Sequence, residues 1–255
     1  MEKNNFINAF DLEEKIAASN IFDKIRLTYN TGRVMFSDEF YTPNIWSKVI
    51  KMADSFGINV EAYGIFEQCE RRMLGFSCYD TLNFPVKLLK IKANTKYNSV
   101  SHRDFLGAVS SIGLDRSKFG DLVTKGDTAF LAVCNDISDF ILQNVFEIGR
   151  CPCKITEEDL GEAIPKIDFE DINLIATSLR LDCIVSAICK ISRNNALELI
   201  NASKVYVDYN VKNDKSFNLY FGNTISIRGY GKYKLIKSLG NTNKDRVKLL
   251  VKKFV

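Results

Sequence analysis

Residues 119–134 read FGDLVTKGDTAFLAVC, and this pattern predicts two strands joined by a tight turn. Apolar residues dominate 119–123 and 128–134, as is typical of strands that are buried on at least one face. Gly126-Asp127 lies between them and suits a two-residue hairpin turn. The stretch therefore indicates a sheet in the middle of the chain.

The segments on either side of this hairpin alternate between predicted strand and predicted helix. A strand over 84–92 and a helix over 101–112 precede it, and a helix over 137–148 and a strand over 151–155 follow it. The resulting order, β-α-β-β-α-β, is that of the ferredoxin-like split unit. Because that fold serves many functions, the order does not decide what the protein does.

The order of elements predicts an α+β protein with several domains. Residues 1–80 are expected to form an α/β extension, with a helix over 11–29 that breaks near Asn20 and strands over 58–63 and 73–78. The ferredoxin-like domain is placed at 81–156. An acidic stretch with Gly and Pro indicates a linker over 157–170, and the remaining residues, 171–255, form a C-terminal domain.

Composition excludes several classes of protein. The chain has 255 residues, of which 46% are hydrophobic, and this is enough for well-formed cores. No run of about 18 apolar residues occurs, and the N-terminus is polar, so we expect a cytoplasmic protein without a membrane span. The seven cysteines are expected to be reduced thiols.

Metal and cofactor sites are not expected. His102 is the single histidine, and zinc sites with two histidines, di-iron bundles and histidine relays all need at least two. Cys151-Pro152-Cys153 offers two thiols, which is too few for a structural zinc site, and fits the start of a strand better. The run 229–232, GYGK, lacks the pattern of a phosphate loop and is expected to be a hairpin turn.

Charge is distributed unevenly along the chain. Residues 178–255 contain 15 Lys and Arg against 5 Asp and Glu, whereas the rest of the chain contains 20 against 26. A basic segment on an acidic body indicates a polyanionic partner, since Lys and Arg that neutralise phosphates release condensed counterions. A solvated basic surface is the other interpretation, and charge by itself does not separate the two.

The basic segment is predicted to contain two short helices and a small sheet. The helices run from Leu181 to about Lys190 and from the predicted N-cap Ser192 onwards. Short strands are expected at 205–207, 224–228 and 233–236. Arg193 lies in the first turn of the second helix, where a cation opposes the helix dipole and a bound phosphate would offset that cost. The last residues, 244–253, are predicted as a basic helix or strand or as a solvated terminus.

Several motifs in this segment resemble the RNA-binding domain named after ribosomal small-subunit protein four, here called the S-four domain. They are Arg180-Leu181-Asp182, Ile191-Ser192-Arg193, Ala196, Leu199-Ile200, 204–207 (KVYV) and 222–229 (GNTISIRG). They cover about fifty residues in the order typical of the family. The family usually has Gly where Ser203 stands and Asp where Asn223 stands.

The upstream part resembles the YlmH family of bacterial proteins. The similar residues are 70–72 (ERR), 101–108 (SHRDFLGA), 113–116 (GLDR) and 119–121 (FGD). This resemblance spans nearly the whole chain and is weakest before about Ile58. It implies binding to ribosomal RNA and tRNA on the large ribosomal subunit, in ribosome-associated quality control or rescue of stalled translation, and a link to cell division.

Two motifs admit a catalytic interpretation. Arg180-Leu181-Asp182 also resembles the motif of RNA pseudouridine synthases, in which the Asp is the nucleophile, but the 73 residues after Asp182 leave no room for a catalytic domain around it. An ion pair or helix cap is the alternative role for Asp182. In the run 101–104, SHRD, the spacing Ser101-x-x-Asp104 is the capping-box pattern and is favoured over a catalytic relay.

The sequence therefore favours a non-enzymatic RNA-binding protein whose C-terminal domain binds phosphates. The residues expected to contact RNA are Arg180, Lys190, Arg193, Asn194, Lys204, Arg228 and Lys232, with His102, Arg103 and Tyr230 as secondary contacts. Arg193 is expected to matter most. Two alternatives stay open: an RNA-modifying enzyme of the pseudouridine-synthase kind, and a protein-protein adaptor linked to cell division.

Overall fold

The computed structural model describes residues 2–79, 82–96, 99–160 and 164–254. The chain divides into two compact units, Met1–Lys166 and Ile167–Val255. Helices and sheets occur in both units, so the fold class is α+β. The proposed boundary between residues 80 and 81 lies outside the described residues, as do 161–163 of the predicted linker.

The first part of unit 1 is a three-stranded antiparallel sheet with helices. Its elements are α1 (Lys3–Ile7), α2 (Lys15–Thr31), β1 (Met35–Tyr41), α3 (Pro43–Lys51), β2 (Asn59–Tyr63) and β3 (Arg72–Ser77), with the strand order β1-β3-β2. The predicted break near Asn20 is wrong, because α2 continues through it. Ala18, Ile21 and Ile25 form its buried stripe, while Asn20 faces solvent and leaves the backbone ladder intact.

The second part of unit 1 is a five-stranded antiparallel sheet, here called the central sheet. Its elements are β4 (Val86–Ala93), α4 (His102–Ser111), β5 (Phe119–Lys125), β6 (Thr128–Cys134), α5 (Asn135–Asn144), β7 (Glu147–Ile148) and β8 (Cys151–Glu158). The strand order is β5-β6-β4-β8-β7. Gly126 has φ +62° in the turn between β5 and β6, a conformation that glycine adopts without strain.

The three-stranded sheet β1-β3-β2, here called the N-terminal sheet, covers part of one face of the central sheet. Phe40 of β1 is buried against β5 and β6, and a Cβ added at Gly120 would lie 3.0 Å from its ring and 3.1 Å from the Cβ of Ala132. The Asp121 carboxylate accepts hydrogen bonds from the backbone N–H groups of Glu70 and Arg71. The two parts of unit 1 are therefore joined by packing and by hydrogen bonds.

Unit 2 is a six-stranded antiparallel sheet with two helices. Its elements are β9 (Phe169–Ala176), α6 (Leu181–Cys189), α7 (Arg193–Asn201), β10 (Val205–Val207), β11 (Asn210–Val211), β12 (Thr224–Ile227), β13 (Gly231–Asn241) and β14 (Val247–Phe254). The order is β11-β10-β12-β13-β14-β9. Leu181, Ile184 and Ile200 of the helices share one core with Ile225 and Leu235 of the sheet.

The sheet of unit 2 is larger than the sequence predicted. The solvated terminus considered for 244–253 is wrong, because β14 lies between β13 and β9 in the sheet. Leu249 and Val251 are buried there, while Lys248 and Lys252 lie on the opposite face with the half-buried Leu250, as in a strand covered mainly on one side. The predicted linker 157–170 is also too long, because β8 extends to Glu158 and β9 begins at Phe169.

Candidate nucleic-acid interface

Asp182 and two arginines form an ion-pair cluster where α6 and α7 meet. Asp182, in the first turn of α6, is 1% exposed. Arg180 Nε donates to its Oδ1 at 3.2 Å, and Arg193, the first residue of α7, donates to its Oδ2 from Nε at 2.9 Å and from Nη2 at 2.6 Å. Asp182 therefore has the ion-pair role that the sequence offered as the alternative to catalysis.

The cluster lowers the proton affinity of Asp182. Burial by itself would raise the pKa of this carboxyl group, but hydrogen bonds from Arg180 and Arg193 outweigh burial and lower the pKa from 3.8 to about 2. Asp182 thus stays ionised across the physiological range. Two guanidinium groups share one carboxylate, so one positive charge remains uncompensated by Asp182.

Acid should weaken unit 2 through Asp182. Because its pKa is lower in the folded state than in an unfolded chain, the carboxylate contributes stability that is present above about pH 4 and is lost as the pH falls through about 2. A shift of this size corresponds to about 2 kcal/mol. We expect the urea midpoint of unit 2 to fall more steeply between about pH 5 and pH 2.5 in the wild type than in Asp182→Asn. Equal pH profiles for the two proteins would contradict this assignment.

The role predicted for Arg193 needs correction. Its place at the start of α7 is as predicted, and Ser192 caps that helix by accepting a hydrogen bond from Asn195 N at 3.2 Å. However, the anion beside its guanidinium is the Asp182 carboxylate, which already offsets the unfavourable dipole. Its side chain remains 56% exposed, so an outer face is still accessible. Arg193→Glu would place two carboxylates together and is unsuitable as a test of binding alone.

Lys204 and Arg228 lie next to each other at one end of the sheet. Arg228 N donates to the Lys204 carbonyl oxygen at 2.9 Å, just before β10 and just after β12. Both side chains are exposed, and neither has an ion pair with another residue in the part of unit 2 that the structure describes. These two residues, here called the Lys204–Arg228 pair, are like Lys190 in being exposed and without a described carboxylate partner.

Lys190 and Asn194 are exposed at the junction of the two helices. Lys190 is the C-cap of α6 in the left-handed conformation, with φ 53°, and Asn194 lies in the first turn of α7. Only three positions separate Lys190 from Arg193. Arg180 and Lys190 cap opposite ends of α6, so Lys190, Arg193 and Asn194 share the α6–α7 junction and Arg180 is connected to it through Asp182.

Lys232 does not belong with the other predicted contacts. It alternates with Tyr233 and Leu235, which enter the core beneath the helices, so Lys232 lies on the opposite face of the sheet. Its Nζ donates to the Tyr209 hydroxyl at 2.7 Å and lies 4.3 Å from the centre of that ring. Tyr230 is 40% exposed in the turn that precedes β13, and its carbonyl oxygen accepts a hydrogen bond from the Tyr233 hydroxyl.

Two further lysines, missed at the sequence level, share the face of Lys232. Lys234 lies on β13 directly opposite Lys252 of β14, and Lys252 lies opposite Asp171 of β9. The alternation of lysine with apolar residues in 231–237 was the signal that could have placed Lys234 on this face. The facing Asp171 offsets part of the charge.

The secondary contacts His102 and Arg103 begin α4, in unit 1. Ser101 and Asp104 form the predicted capping box, in which Asp104 Oδ2 accepts from Ser101 N at 2.8 Å and from Ser101 Oγ at 2.7 Å. His102 Nε2 lies 3.2 Å from the Leu122 carbonyl oxygen, so the ring is held against β5. Arg103 is exposed. Neither residue is assembled with a nucleophile in this helix turn.

Five of the seven cysteines are buried, Cys153 is half-buried and Cys78 is exposed. All seven cysteines are unpaired thiols, and burial raises the pKa of Cys134 to about 12 and that of Cys189 to about 11. Within the described ranges, no group of three or more His, Cys, Asp or Glu residues could hold a metal ion. No helix in the part of the chain covered by the structure is long and apolar enough to cross a membrane.

Comparison with known proteins assigns the chain to a family. Residues 80–162 match the family described as "Putative RNA-binding domain in YlmH". The "Ribosome-associated protein quality control protein P2" of Bacillus subtilis (strain 168) is 30% identical over 245 residues, which cover 93% of this chain and 94% of that protein. The chain belongs to the YlmH family. Both similarities include the central sheet.

A solved structure supports the fold of this YlmH-family protein. The "Cell division protein ylmH from Streptococcus pneumoniae" superposes with a TM-score of 0.51 at 19% identity, covering 61% of this chain and 97% of that chain. At this identity the likeness concerns the fold alone. The YlmH domain match lies in unit 1, whereas most contacts predicted from the sequence lie in unit 2.

Proposed function

We propose that this YlmH-family protein is a non-enzymatic RNA-binding protein that acts on the ribosome. Its partners would be ribosomal RNA on the large subunit, with tRNA as a second RNA, in ribosome-associated quality control or rescue of stalled translation. The name of the Bacillus subtilis relative and the description of the matched domain support this function. The cytoplasm would be its location.

One observation from the structure carries this proposal. Unit 2 presents exposed cations at the α6–α7 junction and at the Lys204–Arg228 pair, and Asn194 adds an amide that can reach a sugar or a base edge. Exposed Lys and Arg on a rigid scaffold suit phosphate contacts, which fix the position of a protein on RNA. Tyr230 would contribute from the turn that follows β12, whereas Lys232, on the other face of the sheet, would contact a separate stretch of RNA.

The proposal includes the architecture of both units. The strand order β5-β6-β4-β8, antiparallel throughout, supports a ferredoxin-like domain at 81–156, after an α/β extension at 1–80. The two short helices packed on a sheet support an S-four-type domain at 171–255. The connector would be shortened to 159–168, between β8 and β9.

The enzymatic alternative has less support. A pseudouridine-synthase nucleophile must be accessible to the base, whereas Asp182 is buried and holds two arginines. The groups at the α6–α7 junction include no second acid or base positioned beside Asp182 in the described part of the chain. Binding without chemistry is therefore the function that this arrangement favours.

Sedimentation with ribosomal particles tests the proposal. We expect the full chain to sediment with purified large subunits at low salt and to leave them as salt rises, with a log-log slope of about −4 or steeper, because about five basic side chains would replace counterions. The slope is read from bound fractions across a potassium chloride series. An adaptor of cell division would show no such binding to purified subunits, and that result would overturn the proposal.

A further inference from the structure

The YlmH domain match directs attention to a sheet face that the S-four-type interface does not use. We propose that the uncovered half of the central sheet is a second RNA-binding surface, on which lysines bind phosphates and Phe130 stacks on a base. This inference rests on the proposed function, and it adds a specific site in unit 1.

Strand pairing aligns the side chains of this face in two rows across four strands. The first, the lysine row, is Lys125 of β5, Thr128 of β6, Lys92 of β4 and Lys154 of β8. The second, the aromatic row, is Val123, Phe130, Lys90 and Thr156 on the same strands. Because neighbouring strands lie about 4.8 Å apart, each row spans about 14 Å.

The two rows lie on the part of the central sheet that the N-terminal sheet does not cover. The next row along the strands contains Ala132 and Leu88, which are 1% and 2% exposed, and Ala132 lies beneath Phe40. In contrast, Lys92, Lys125 and Lys154 are exposed and Phe130 is half-buried. The opposite face carries Leu89, Ile91 and Leu131, all fully buried in the core. On β5 the aromatic row is covered, since Val123 is 6% exposed, but the three lysines and Phe130 leave the rest of this half-face open.

The lysine row concentrates charge in an unfavourable arrangement. Lys92 and Lys154 are direct cross-strand partners, and like charges in that position destabilise a sheet. Neither lysine has an ion pair with another residue in the parts of unit 1 that the structure covers. A phosphate between the two ammonium groups would convert this repulsion into attraction. The positive charge is specific to this row, because residues 80–162 as a whole contain 10 basic and 12 acidic residues.

The acidic groups near the rows are engaged or peripheral. Glu158 pairs with Lys90 at 3.5 Å, and Asp127, in the β5–β6 turn, accepts the Thr128 hydroxyl at 2.9 Å. Glu147 lies opposite Pro152, at the edge of the sheet beyond Lys154. Asp127 lines the same depression as Lys92, Lys96 and Lys154, so it offsets part of their charge and three lysines face one acidic residue there.

Phe130 supplies the second recognition element. It lies on the middle strand of the sheet, and Lys90 Nζ is 5.9 Å from the centre of its ring. An aromatic ring on an open sheet face next to lysines suits a nucleotide, because the base stacks on the ring while the phosphate meets the ammonium groups. Phe130 is the one aromatic residue in the two rows, so we propose a single stacked base.

The surface is tested in the full chain with labelled large-subunit ribosomal RNA as the probe. Lys92→Glu with Lys154→Glu should weaken binding about 10- to 100-fold and reduce the salt slope by about 2, since two phosphate contacts are lost. Phe130→Leu should weaken binding about 5- to 150-fold without changing the salt slope, because stacking releases no counterions. The control, Lys51→Glu with Arg150→Glu, changes the net charge equally at exposed positions and should bind like the wild type.

A single substitution separates binding from folding. Lys92→Glu places a carboxylate opposite Lys154, so the melting temperature should rise by about 1–4 °C while RNA affinity falls. In one outcome, the Lys92→Glu/Lys154→Glu and Phe130→Leu variants bind RNA like the control while charge reversal of the Lys204–Arg228 pair removes binding. In that case the proposal of a second surface is wrong and the proposed function stands. If the wild type itself does not bind ribosomal RNA, the proposed function fails, and this inference fails with it.

Discussion

Charge reversal at Lys204 and Arg228 should reduce the affinity for ribosomal RNA by about 100-fold or more near physiological salt. The two side chains extend from adjacent backbone positions, joined by the 2.9 Å bond from Arg228 N to the Lys204 carbonyl oxygen. One RNA backbone can therefore contact both. Each substitution removes a phosphate contact and adds a repulsive charge, so the salt slope should also decrease by about 2.

This pair offers a cleaner test than the arginines at the α6–α7 junction. Because both residues are exposed and unengaged by the described carboxylates, each substitution should change the free energy of unfolding by no more than about 0.5 kcal/mol. The control is Lys237→Glu with Lys244→Glu, two exposed lysines of the β13–β14 hairpin that give the same change in charge. Filter binding across a salt series measures affinity and slope together. Equal affinity for the two double variants would place the RNA elsewhere.

The fold was most predictable where a strand is a run of apolar residues or a cap has a local signature. The predicted strand 128–134 has the bounds of β6, and the spacing of Ser101 and Asp104 identified a real capping box. Both signals depend on residues that are neighbours in sequence. The coarse α+β class follows from such local signals.

Long-range pairing explains what the sequence could not show. Strand β14 pairs with β13 and β9, and β9 begins 78 residues before β14 in the sequence. Its lysines made the terminus resemble a solvated tail, because the apolar partners for Leu249 and Val251 come from distant elements. Likewise, Arg193 could be placed at a helix start, but its contact with Asp182 depends on how α6 packs against α7.

The same limit applies to the candidate sites. Lys92, Thr128 and Lys154 are unremarkable in sequence, and only the register of β4, β6 and β8 brings them into one row. Lys232, by contrast, was predicted to contact RNA together with Arg228, yet strand alternation places it on the face away from the helices. Proximity in sequence is a poor guide to which cations share a surface.

Asp182→Asn should lower the free energy of unfolding of unit 2 by about 2 kcal/mol. The carboxylate is buried, and its replacement leaves the guanidinium groups of Arg180 and Arg193 facing each other without a counter-charge. Urea denaturation of the full chain, followed by circular dichroism, measures the change. Glu198→Gln, an exposed site on α7, is the matched control and should shift stability by no more than about 0.5 kcal/mol.

A second variant distinguishes an ion-pair role for Asp182 from a catalytic one. If Asp182 serves to hold the arginines, adding Arg193→Gln to Asp182→Asn should restore part of the lost stability, because one of the two uncompensated charges is removed. The two substitutions should then be non-additive by about 1 kcal/mol or more. A nucleophile would behave differently: Asp182→Asn would leave the unfolding curve in place and abolish modification of RNA. Full additivity of the two stability losses would contradict the ion-pair cluster.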